Sequence, residues 1–104
     1  MSSIQTMSQR FAPTTGQTIT IANADAGLVS VIVDPSGSLL ALTVNMPTNP
    51  FDGQCIMIGT SNTITTLTLG GNGNTLLGTI TTLAANGWVH FSYNTSQAKW
   101  YRMG

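Results

Sequence analysis

The chain has no glutamate, one histidine and one cysteine, and only three acidic and three basic side chains across 104 residues. Acid–base and Lewis-acid chemistry draw on those groups, so their scarcity argues against an enzyme and against a bound metal or other cofactor. Arg10, Lys99 and Arg102 are too few to meet a run of phosphates, and the formal net charge is zero, so nucleic acid is not an expected partner. No apolar run reaches the ~18 residues of a membrane-spanning helix, and no membrane partner is expected. The first residues, Met1 to Arg10, lack both the basic stretch and the apolar stretch of a signal peptide, which predicts synthesis in a host cytoplasm without export by that route. Cys55 stands alone and cannot close an internal disulfide, so packing, hydrogen bonds or association must hold the protein together.

In place of charge the chain carries Thr, Ser, Asn and Gln interleaved with Val, Ile and Leu, punctuated by 11 glycines. That vocabulary is β-rich. One domain is expected, burying roughly 65% of the surface that its unfolded chain would expose. Alternation begins at Thr18-Ile19-Thr20-Ile21. Leu28 to Val33, Leu39 to Val44 and Cys55 to Ile58 follow as strands apolar on both faces, separated by Pro35-Ser36-Gly37 and by a long connection from Met46 to Gly53. Asn62 to Leu69 alternates but slips phase at Thr65-Thr66, as a β-bulge would produce. Gly70 to Asn74 is a loop tip, Asn86-Gly87 a tight turn into Trp88 to Tyr93, and Ala98 to Met103 a closing strand. Eight or nine short strands at this spacing predict a compact antiparallel β-sandwich or small barrel over residues 17–104.

Residues 1–16 read differently. Ile4, Met7 and Phe11 are widely spaced among Ser, Gln and Thr before Pro13 and Gly16, with neither clean alternation nor a helical stripe. The expectation is an extended N-terminal arm that orders on a partner, with Ile4, Met7, Phe11 and Pro13 as the partner-binding residues. The alternative is a first strand of the domain itself.

Each candidate site has a structural counterpart. The Gly70 to Asn74 loop has no following Lys or helix and so lacks a phosphate-binding pattern. His90 lies mid-strand with no acid near it in sequence, which predicts a satisfied sheet histidine. Asp25, Asp34 and Asp52 each fall at a turn, where capping explains them, and Cys55 reads as a buried, inert thiol. Among Trp88, Phe91, Tyr93, Trp100 and Tyr101, core packing with one exposed ring is expected, and stacking on sugar is the alternative.

Four stretches carry a resemblance. Asp52-Gly53-Gln54 opening an apolar strand, Gly70-Gly71-Asn72-Gly73, Trp88 to Tyr93 and the terminal Lys99-Trp100-Tyr101-Arg102 together resemble small β-domains on the virions of tailed bacteriophages. These are capsid decoration (cement) proteins and the distal domains of head and tail fibres. The resemblance implies a homotrimer that works by adhesion. A decoration protein would clamp the major capsid protein on the virion exterior and stabilise the head. A distal fibre domain would instead bind a receptor or a glycan. A fibre tip is expected to follow a long stalk in the same chain, and these 104 residues hold none, so decoration is the expected role.

Overall fold

The computed structural model describes residues 6–104. Nine strands run in chain order: β1 (Thr6–Phe11), β2 (Thr18–Thr20), β3 (Leu28–Val33), β4 (Leu39–Asn45), β5 (Cys55–Thr60), β6 (Ile64–Gly70), β7 (Thr75–Leu77), β8 (Trp88–Asn94) and β9 (Lys99–Arg102). No helix occurs among the described residues, so none is present there to cross a membrane. The fold is all-β, as the composition predicts. Its arrangement is not.

The first six strands alternate between two sheets, and within each sheet they stack in parallel. One sheet has six strands in the order β1-β3-β5-β8-β9-β7, and the other has three in the order β2-β4-β6. β1 pairs parallel with β3, and β3 with β5, while β2 pairs parallel with β4, and β4 with β6. Each successive strand pair is therefore one rung, and three rungs form a β-solenoid-like stack in place of the antiparallel sandwich or barrel. Thr18, Thr43 and Thr68 stand side by side in the smaller sheet, a repeat of 25 residues at both steps.

Inward side chains form rows that cross the rungs. Val29 lies beside Ile56, and Val31 beside Ile58, all at most 1% exposed. Across the core, Ile19, Val44 and Leu69 form the facing row. Parallel stacking gives the strands that read as apolar on both faces a neighbour on each edge and buries one of the two apolar faces, leaving the other on the outer surface. At the C-terminal end the stack is closed by antiparallel elements. β8 pairs with β5, placing Phe91 beside Ile56 and Val89 beside Ile58. On the smaller sheet, residues 81–83 cover β6: Ile64 N–H donates to Leu83 at 2.8 Å and Leu67 N–H to Thr81 at 2.8 Å. Tyr93 and Trp100 complete this end with ring centroids 5.0 Å apart.

The arm expected over residues 1–16 is corrected for the described part of it. β1 is in register with β3 along its whole length, from Thr6 beside Leu28 to Phe11 beside Val33, so residues 6–16 belong to the first rung. Phe11 packs against the core, and Pro13 is buried. The alternation is hidden because Gln9 takes the inward position beside Val31. Its side-chain amide is satisfied there by the backbone of Ala22, which donates to Oε1 at 2.9 Å and accepts from Nε2 at 3.0 Å. The phase slip at Thr65-Thr66 is present as two consecutive exposed residues. Its counterpart in β4 is the pair Leu40-Ala41, the second of which lies beside Thr66. The slip is thus a corner repeated on successive rungs.

Because rungs contact only their neighbours, a defect in the middle rows is felt along the stack. Ile58→Ala is expected to destabilise the protein by about 2–5 kcal/mol in denaturant unfolding. Deleting residues 2–15 removes β1, and the product is expected to lose cooperative thermal unfolding; an intact, cooperative domain would contradict membership of the first rung.

Candidate functional site

The outer faces of the two sheets differ in chemistry. The three-stranded sheet presents hydroxyl and amide groups, with Thr18, Thr43 and Thr68 in one row and Thr20 and Asn45 in the next. The six-stranded sheet presents Leu28, Ser30 and Ile32 from β3, Cys55, Met57 and Gly59 from β5, and Trp88, His90, Ser92 and Asn94 from β8. None of these ten carries a formal charge. Ile32 is 42%, Trp88 54% and Met103 64% exposed, so the surface is apolar and open to solvent.

This face has two halves. At the Trp88 end, Gly59 lies between Ile32 on one side and Trp88 on the other. Having no side chain, it leaves a shallow depression of about 410 Å³, walled by Ile32, Met57 and Trp88. The tight turn Asn86-Gly87 frames it, with Asn86 at φ 63°. At the other end a depression of about 380 Å³ is lined by Asp52, Ser92, Asn94, Gln97, Tyr101 and Met103, among others. Here Asp52 Oδ1 accepts from Thr95 N–H at 2.9 Å, tying the connection before β5 to the β8–β9 turn. Asn94 Oδ1 accepts from Ser96 Oγ at 2.7 Å and from Gln97 N–H at 3.1 Å, which shapes that turn.

The residues singled out from sequence fall in several places. Ile4 lies outside the described residues. Met7 and Phe11 share the inward face of β1, and with Pro13 they form part of the first rung instead of a separate binding segment; only Met7, 44% exposed, reaches solvent appreciably. His90 sits on the outer face beside Met57, and its Nε2 is buried with no partner among the described residues, unlike the satisfied histidine expected. Cys55 is only partly buried and faces outward, with Sγ 3.6 Å from the Gly53 carbonyl. Of the aromatic residues, Phe91, Tyr93 and Trp100 are core, and both Trp88 and Tyr101 reach the surface. No group of three or more potential metal ligands occurs among the described residues. The loop at Gly70 to Asn74 is closed by its own Asn74 N–H to Gly71 hydrogen bond and by Asn72 Nδ2 donating to Met46. Sequence reasoning missed the polar depression, since Asp52 and Tyr101 are brought together only by the β5–β8–β9 pairing.

One charged cluster spans all three rungs. Arg10 in β1 donates from Nη2 at 2.7 Å and Nε at 3.1 Å to Asp34 Oδ2, while Ser61, just after β5, donates to Asp34 Oδ1 at 2.7 Å. The ion pair is exposed and therefore contributes little to stability. Its role is positional, fixing the strand ends relative to one another. The Ser61 hydrogen bond, then the Arg10 guanidinium, hold the Asp34 carboxyl below its ordinary value. A lowered folded value means that the contribution is present in full above the unfolded value and is lost as pH falls through the folded one.

No known protein family, curated protein or solved structure matches the chain.

Ser61→Ala is expected to raise the Asp34 titration midpoint toward that of free aspartate, read by carboxyl NMR, with little change in stability at neutral pH. A midpoint unchanged by the substitution would show that Ser61 does not hold the carboxylate.

Proposed function

We propose that this chain is a non-enzymatic structural protein of a tailed-bacteriophage virion, a decoration protein that binds the major capsid protein on the capsid exterior as a homotrimer. The observation that carries the reading is the uncharged, apolar half-face formed by Ile32, Met57 and Trp88. A broad apolar patch rimmed by polar residues is the physical form of a contact surface, and a large exposed ring such as Trp88 is the residue type that dominates such contacts. Attachment is assigned here to this sheet face, and no longer to Ile4, Met7, Phe11 and Pro13. The rung stack supports the assignment, because a sheet held by its own core presents the patch without ordering a further segment on binding.

The homotrimer is what the virion resemblance implies; the apolar face by itself does not count subunits. Three copies bound together multiply a modest contact into lasting attachment. Few charges mean little screening, so attachment tolerates salt.

Binding is tested by co-sedimentation with undecorated capsids. Trp88→Ala is expected to weaken it by about 2 kcal/mol, roughly 30-fold, with the fold intact. Raising the salt to about 1 M is expected to leave wild-type binding nearly unchanged. Wild-type affinity in the Trp88 variant, or a steep loss with salt, would overturn the assignment, and a monomeric mass in sedimentation equilibrium would overturn the trimer.

A further inference from the structure

The polar half of the same face is built differently from the apolar half and calls for a different ligand. Five groups converge on its depression: the Asp52 carboxylate, the Ser92 hydroxyl, the Asn94 and Gln97 side-chain amides, and Tyr101. Ser92 and Tyr101 face each other across the β8–β9 pair. Their internal hydrogen bonds leave a defined set of valences. Asp52 is anchored through Oδ1 to Thr95, and its Oδ2 has no partner among the described residues. Asn94 is anchored through Oδ1 to Ser96 and Gln97, which leaves its Nδ2 donors unengaged by protein. The side chains of Ser92, Gln97 and Tyr101 make no hydrogen bond to protein among the described residues.

The anchored carboxylate and carboxamide are held in place yet keep one free edge each, an acceptor on Asp52 and a donor pair on Asn94. Tyr101 adds an aromatic surface, with Met103 beside it. A pyranose ring has the complementary pattern: hydroxyls at its edge that both donate and accept, and an apolar C–H face that packs on an aromatic ring. Asp52 is the one charged residue lining the depression, so phosphate, sialic acid and uronic acid would meet a like charge. We propose that this depression is a binding site for a neutral pyranose sugar, with Asp52 and Asn94 reading hydroxyls and Tyr101 as the stacking platform.

The site is independent of the capsid contact proposed above. Trp88 and Asn94 lie at opposite ends of β8, about 20 Å apart. The depression is open and carries few polar groups, so a single sugar would be held weakly, in the millimolar range near −4 kcal/mol.

The experiment is a titration of the full-length protein with a panel of methyl glycosides of glucose, galactose, mannose and N-acetylglucosamine, followed by backbone amide NMR. At least one neutral glycoside is expected to give saturable shifts confined to residues 52–53 and 92–103. Asp52→Asn and Tyr101→Ala are each expected to weaken that binding at least tenfold while the remaining spectrum stays unchanged, and Trp88→Ala to leave it intact. Failure of every neutral glycoside at tens of millimolar, shifts produced only by sialic or glucuronic acid, or wild-type affinity in both site variants would overturn the proposal. Because the readout uses no capsid, its failure is distinct from failure of the attachment reading.

Discussion

Parallel, in-register stacking of successive rungs is the constraint on which everything else depends. It aligns Val29 with Ile56 and Val31 with Ile58 in one sheet, and Ile19, Val44 and Leu69 in the other, so that short strands make a continuous core that no single rung could bury. It sets which residues leave the core. Once Val29 and Val31 point in, Leu28, Ser30 and Ile32 must point out, and the same holds for Met57 between Ile56 and Ile58. The apolar outer face is thus a direct consequence of strands whose two faces are both hydrophobic, in a sheet with only one face covered by its own chain.

The antiparallel elements at the C-terminal end do two jobs. β8 and the segment at residues 81–83 satisfy the strand edges that the last rung would expose. The β8–β9 turn also projects Asn94 and Gln97 toward the connection before β5, where Asp52 fastens to Thr95. The polar depression therefore arises where the stack is closed, and the apolar depression where Gly59 interrupts a row of side chains. Both lie on elements whose inward residues are fully buried, which gives each site a rigid base.

Much of the strand content is legible in the sequence, because alternation marks Thr18 to Ile21, Leu28 to Val33 and Trp88 to Tyr93, and Asn86-Gly87 marks the turn before the last of these. The parallel arrangement is harder to read. Its signal is faint but present: the pairs Thr18-Ile19, Thr43-Val44 and Thr68-Leu69 recur at 25 residues, reinforced in the last two rungs by Leu42 and Leu67 just before the threonine. The stack in the larger sheet steps by unequal intervals, because the second rung is longer than the first both between β3 and the threonine row of β4 and over the connection from Met46 to Gly53, which blurs the period further. Residues 6–11 are concealed for a chemical reason. A glutamine at an inward position breaks the expected alternation, and only the backbone of Ala22, brought across the rung, makes Gln9 acceptable there. The polar depression could not be found from sequence, since Asp52 is distant along the chain from Asn94 and Tyr101, and no motif links them.

The stack itself is tested most directly by amide hydrogen exchange in the isolated protein. Strand β1 hydrogen-bonded to β3 should show protection at alternate amides between Met7 and Phe11, opening together with those of β3 as one cooperative unit. Exchange of all these amides at the rate of a free peptide would contradict the rung and restore the N-terminal segment as an arm.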